Sequence, residues 1–182
     1  MRDVILLVDQ SGSMASSVVY SGVMAASLAS LRSITTKLVV FDTSVVDLTD
    51  TLHGDPVEVL FSTQLGGGTD IDSAVAYGSS LVTRPADTVI VLLSDLFEGG
   101  DQSSLLRRLA ALVESGATVV VLLALSDEGT PMYDHELAAA CAALGAPAFA
   151  CTPDLFPDLL AAALKKEDVA DWAGRAGLAV GR

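Results

Sequence analysis

The chain is poor in the residues that carry most enzyme chemistry. Its 182 residues include two cysteines, two histidines and one tryptophan. Cys141 and Cys151 form no Cys-x-x-Cys pair, so they fit neither a disulfide framework nor a zinc site, and reduced, buried thiols are expected. Positive charge is scarce as well: 10 Lys and Arg face 23 Asp and Glu, for a formal net charge of −13. Binding nucleic acid needs clustered cations against the phosphates, and this balance argues against it. It also disfavours an acidic membrane surface and draws cations towards the protein.

Long apolar runs are missing too. The longest, Ala117 to Leu125, has nine residues, where a membrane-spanning helix needs about 20. Val4 to Val8 is too short for a secretory leader and ends at Asp9, so a cytoplasmic location is expected. There is no Gly-x-Ser-x-Gly elbow, and neither His53 nor His135 is placed to serve a serine nucleophile. No Gly-x-Gly-x-x-Gly follows the first apolar run, which removes the usual dinucleotide-binding oxidoreductase.

What the chain does have is apolar residues in short, evenly spaced blocks. They make up 51% of the sequence, which excludes disorder and supplies one well-filled core. Strands are expected at Val4–Asp9, Lys37–Phe41, Val45–Thr49, Thr88–Leu93, Ala117–Leu125 and Ala148–Cys151. Helices are expected at Ser16–Arg32, Pro56–Ser62, Asp70–Val82, Ser103–Ser115, Asp134–Leu144 and Asp154–Lys165. This alternation is that of an α/β fold, doubly wound and Rossmann-like, with helices on both faces of a mostly parallel sheet. Only three residues separate Phe41 from Val45, too few for a parallel crossover, so the third strand is antiparallel at an edge. Right-handed crossovers then give the order 3-2-1-4-5-6. The domain is expected to span residues 1–168, with 169–182 as a tail, and a chain opening so directly on its central strand is expected to come from a longer protein.

Three short pieces stand at predicted strand or loop ends: Asp9-Gln10-Ser11-Gly12-Ser13, Gly66-Gly67-Gly68-Thr69-Asp70 and Ser94-Asp95. Strands one and four are neighbours in the expected order, so Asp9 and Asp95 come side by side at the edge where open α/β sheets bind ligands. Carboxylates and hydroxyls without His or Cys suit a hard cation with oxygen ligands. The bland alternative makes Asp9 a helix cap and the glycines an ordinary turn.

The arrangement resembles the metal-ion-dependent adhesion site of von Willebrand factor type A (VWA) domains, whose pattern is Asp-x-Ser-x-Ser, a distant Thr and a distant Asp. Asp9, Ser11, Ser13, Thr69 and Asp95 match it in order. The resemblance implies that Ser11, Ser13 and Thr69 ligate Mg²⁺ (or Mn²⁺) by their hydroxyls, with Asp9 and Asp95 acting largely through water. It also implies that an open position takes a Glu or Asp carboxylate from a partner protein, and that the domain is not an enzyme. Leu93-Ser94-Asp95-Leu96-Phe97-Glu98-Gly99-Gly100 and Phe149-Ala150-Cys151-Thr152-Pro153 resemble CoxE-like proteins in particular. That implies work beside a MoxR-type AAA+ ATPase in metalloenzyme maturation.

Two rivals use a similar site. A haloacid-dehalogenase-like phosphatase needs a second Asp two positions after the first, where this chain has Ser11. A Ro-type RNA-binding protein carries a separate helical domain for RNA, which is absent. Around the site, Phe97, Glu98, Asp127, Glu128, Tyr133 and Asp154 are candidate partner contacts, and Glu98 either reaches the ion in cis or is simply solvated. Asp42 is expected to start the hairpin turn, His53 to be plain surface, and Asp134 to cap the helix that His135 opens.

Overall fold

The computed structural model describes residues 2–29, 34–52, 54–63 and 65–178. Six strands, β1 (Arg2–Asp9), β2 (Ile34–Phe41), β3 (Val45–Asp47), β4 (Thr88–Ser94), β5 (Thr118–Leu123) and β6 (Ala148–Phe149), form one sheet in the order β3-β2-β1-β4-β5-β6. All neighbours pair in parallel except β2 with β3. Order and polarity are those the sequence implies. The central strand, β1, sets Val8 opposite Val40 on one side and Leu93 on the other. The carboxyl ends of β1, β2 and β4 are therefore level, and the loops leaving them open on one rim.

Among the described residues, seven α-helices cover the sheet: α1 (Val18–Ala29), α2 (Pro56–Ser62), α3 (Ile71–Ser80), α4 (Gln102–Glu114), α5 (His135–Ala143), α6 (Phe156–Leu164) and α7 (Val169–Arg175). Alternate residues of a strand point to opposite faces, and β1 divides accordingly. Val4, Leu6 and Val8 pack with Met24 of α1 and Phe156 of α6, while Ile5 and Leu7 pack with Ile71 of α3 and Leu109 of α4. Both faces are buried, which is why the run Val4–Val8 is continuously apolar.

Local details depart from expectation in two places. The first helix opens as a 3₁₀ turn over Gly12–Ser17 before α1 begins, and its expected end at Arg32, like His53, lies outside the described residues. The stretch after α6, expected as a tail, contains a helix. In α7, Asp168 caps the first turn, Val169 and Ala173 are buried, and the Trp172 ring lies 6.2 Å from that of Phe149; residues 179–182 lie outside the described residues. Both cysteines are buried free thiols, and burial pushes each up to about 12, so they stay protonated and inert.

Much of the acidity has a local role. Asp55, Asp70, Asp101, Asp134 and Asp168 each cap a helix by accepting from a backbone N–H two or three residues on. Asp47 instead pins the edge strand, accepting from Thr49 N at 2.9 Å and from the Tyr77 hydroxyl at 2.6 Å. Burial alone would raise its pKa, but the bonds from Thr49 and Tyr77 outweigh that and hold it below the ordinary carboxylate value. A lowered folded-state pKa contributes stability above the unfolded value, lost as pH falls through the folded one. Tyr77→Phe is expected to cost less than about 1 kcal/mol, because the pair is exposed. Denaturant midpoints of the variant should also fall less between roughly pH 5 and pH 3 than those of the wild type. Identical acid limbs would show that the bond carries no such linkage.

Candidate metal centre

Asp9 closes β1 in a nearly sealed position, 1% exposed. One of its oxygens accepts from Ser11 N at 2.9 Å and the other from the Ser94 hydroxyl at 2.6 Å. The second bond ties the ends of β1 and β4 together, as their pairing in the sheet requires. Beyond Asp9 the chain turns tightly, with Met14 N donating to Ser11 O, and this turn leaves the Ser11 and Ser13 hydroxyls 3.1 Å apart.

The glycine loop is stitched to this turn by main-chain hydrogen bonds. Gly66 N donates to Gln10 O at 2.9 Å, and Gly12 N to Gly67 O at 2.8 Å. The approach is close: a Cβ on Gly12 would stand 3.3 Å from Gly66 O, and one on Gly67 would stand 2.6 Å from Asp42 Oδ2. Asp42 starts the hairpin turn as expected, accepting from Ser44 N, but it also holds the glycine loop, accepting from Gly67 N with its carboxylate and from Asp70 N with its carbonyl. Thr69 lies between these two anchors.

Asp95 stands at the end of β4, 2% exposed. Its carbonyl accepts from Asp134 N at 2.9 Å, and one carboxylate oxygen accepts from Phe97 N at 3.2 Å. The other oxygen, Oδ2, is buried with no hydrogen-bond partner. Between them Leu96 adopts φ +62° while wholly buried, and its N–H donates to Ser94 Oγ. That conformation costs a branched residue roughly 1–2 kcal/mol. Gly99 N completes the ring of loops by donating to Thr69 O at 3.0 Å.

The electrostatics ask for a cation. Burial pushes the Asp9 carboxyl up; hydrogen bonds from Ser11 and Ser94 pull it down; and the charge of Asp95 pushes it up again, leaving it raised overall. Two buried carboxylates, one with an orphaned oxygen, are costly without a positive partner. Among the described residues no three His, Cys, Asp or Glu side chains gather into a cluster that could hold a metal. A site here therefore has to draw on the Ser and Thr hydroxyls, and the set fits a hard, oxygen-seeking ion.

At the rim the structure changes the reading of Glu98 and adds contacts for its neighbours. Glu98 is not merely solvated: its carboxylate accepts from Ile71 N, Asp72 N and Gly100 N. Asp127 is exposed but hydrogen-bonded within the chain, its N–H donating to Ser16 O and its carboxylate accepting from Tyr20 N. The Tyr133 ring packs against that of His135 at a 46° tilt, with centroids 4.2 Å apart. Phe97 and Met132 are the rim's large exposed apolar side chains, 43% and 61% accessible, and Met132 has no sequence signal that marks it.

A sheet of this order, with an Asp-x-Ser-x-Ser turn on its carboxyl edge, defines a von Willebrand factor type A domain. The structure is similar to a von Willebrand factor type A protein from Catenulispora acidiphila, with TM-score 0.67 and 13% identity over 86% of this chain and 40% of that one. A more distant likeness, TM-score 0.55 at 12% identity over 93% of this chain and 48% of the other, is to proximal thread matrix protein 1 of the mussel byssus, solved with zinc in its adhesion-site motif. The chain belongs to the family of VWA domain containing CoxE-like proteins, which it matches over residues 1–160. It is 53% identical over 149 residues to YehP of Escherichia coli (strain K12), a protein described as uncharacterized. That match covers 82% of this chain but 39% of YehP, so the chain spans well under half the length of this relative. No helix among the described residues is long and apolar enough to cross a membrane.

Proposed function

We propose that this domain holds a divalent cation, Mg²⁺ or Mn²⁺, at Asp9, Ser11, Ser13, Thr69 and Asp95, and that it recognises a partner protein through that ion. The observation that carries the reading is the buried pair Asp9 and Asp95, with Asp95 Oδ2 unpartnered. The zinc-bearing motif of the byssus protein supports a metal at this place in the fold, and domains of this type generally serve as interaction modules rather than enzymes.

Bound there, the ion would supply an electrophilic centre for an incoming carboxylate. The protein's own residues do the rest. Ser11, Ser13 and Thr69 offer neutral oxygens that leave most of the ion's charge unquenched, while the backbone bonds among the three loops hold those oxygens in place. The negative surface repels acidic partners in general, so a single Glu or Asp aimed at the ion gives selectivity. A partner of the MoxR-type AAA+ class, in maturation or assembly of a metal centre elsewhere, is part of this proposal and rests on the CoxE-like family. A cytoplasmic setting is part of it too, supported by the two reduced thiols.

The test is direct. Calorimetric titration with Mg²⁺ and Mn²⁺ should show one site, with binding lost in Ser11→Ala. Capture of the ATPase from native lysate should vanish with chelator and in Ser13→Ala. Metal affinity unchanged in Ser11→Ala sinks the site; capture insensitive to chelator sinks metal bridging. The same preparations should not hydrolyse a generic phosphomonoester, because Ser11 stands where a phosphatase needs its acid.

A further inference from the structure

Thr69 differs from the other four residues of the proposed site. Asp9, Ser11, Ser13 and Asp95 each have a side-chain hydrogen bond in the protein, whereas the Thr69 hydroxyl has none among the described residues. Its position is therefore set by the main chain on either side. On the amino side, Asp42 holds Gly67; on the carboxyl side the chain passes through Asp70 into α3.

The first N–H groups of a helix have no partner within it. In α3 the Asp70 side chain satisfies Ser73 N, and the two N–H groups before it fall to Glu98. One Glu98 oxygen accepts from Ile71 N at 3.1 Å and the other from Asp72 N at 2.8 Å. The first oxygen also accepts from Gly100 N at 3.0 Å, which closes the Glu98 loop on itself. The next residue, Gly99, donates to Thr69 O, and a Cβ there would stand 2.8 Å from that oxygen. Two consecutive residues on the Asp95 loop thus fix the chain on which Thr69 sits. Glu98 thus sits at the amino end of α3, where a helix favours negative charge, and Arg108 of α4 is paired with Asp72.

We propose that Glu98 is a positioning residue for the cation site, holding Thr69 against the Asp95 loop through the first turn of α3, with Gly99 permitting the close approach. The inference rests on the metal reading above and goes beyond it, since Glu98 touches no proposed ligand oxygen. A carboxylate is needed because both of its oxygens accept; the amide of Gln would turn an N–H against a helix N–H.

The experiment is a double-mutant cycle on Mg²⁺ and Mn²⁺ affinity, measured by calorimetry on the full chain for wild type, Thr69→Ala, Glu98→Ala, Glu98→Gln and Thr69→Ala/Glu98→Ala. Groups that orient metal ligands typically cost about 10-fold or more in affinity when removed, and a loss of that size is expected for Glu98→Ala and Glu98→Gln. If Glu98 acts through Thr69, the double variant should bind within about twofold of Thr69→Ala alone. Loss of a helix cap alone would lower the melting temperature without this non-additivity. If Glu98→Ala does not fold, Glu98→Gln and Gly99→Ala, each paired with Thr69→Ala, decide by the same criterion. Wild-type affinity in the Glu98 variants, or losses that simply multiply, overturn the proposal. In that outcome the metal site itself stands provided Thr69→Ala is weakened. No metal binding by the wild type removes both.

Discussion

Asp9→Asn is expected to abolish the protein's response to magnesium while leaving the metal-free domain at least as stable as the wild type at pH 7. The two halves have one cause. Burial raises the Asp9 pKa against the pull of its two serine hydrogen bonds, and Asp95 adds to the rise. A group raised on folding contributes stability below its unfolded value, and that contribution is lost as pH rises through the folded one. At neutral pH, an ionised Asp9 without a cation therefore weighs against the fold. Asparagine removes that charge; its oxygen still accepts from Ser11 N, and the Ser94 hydroxyl can rotate to accept from the amide. With the cation, the sign reverses for the wild type. Free magnesium at ten times its dissociation constant adds about 1.4 kcal/mol, and at a hundred times about 2.7 kcal/mol, or roughly 3–6 °C and 5–11 °C in melting temperature for a domain of this size. Thermal melts of both proteins with magnesium and with chelator check this. A chelated variant melting well below the chelated wild type, or a variant still raised by magnesium, would contradict it.

Phe149→Ala should produce the largest loss of stability, about 3–5 kcal/mol. The ring is fully buried at the end of the sheet, where β6 pairs with β5, and Trp172 of α7 lies against it. Residues of α6 and α7 pack in the same cluster, so removing the ring leaves a cavity between packed elements. Trp172→Ala should cost less, since that side chain is only partly buried. The two costs should not add, because the residues share the contact. Urea melts of the single and double variants measure both effects. A neutral Trp172→Ala would mean that α7 does not dock in solution.

The sheet was legible because its evidence is redundant. Val4–Val8 and Val89–Leu93 read as strands buried on both faces, and the three-residue gap before Val45 forced the antiparallel edge. The elements of the site were legible for a related reason: Asp9, Ser11, Ser13 and Asp95 follow those strands within five residues, so a strand assignment locates them. Glu98 was not legible, because the N–H groups it accepts from lie 26 and 27 residues away and nothing local distinguishes it from a solvated loop residue. Leu96 left no trace either, since a branched residue at positive φ runs against its own preference. Helix α7 did leave one: Asp168 precedes Val169, Trp172 and Ala173 at helical spacing, but the surrounding glycines and alanines obscured it.

The two margins of the sheet have a consequence for how the protein behaves when concentrated. β3 offers three residues at one side and β6 two at the other, and Asp47 carries a charge on the longer of them. Strand-to-strand association between copies needs a run of unpaired backbone to act as a template, and neither side provides more than a fragment. A net charge of −13 adds mutual repulsion between copies. Crowded solutions of the domain should accordingly stay dispersed, despite a sequence half composed of apolar residues.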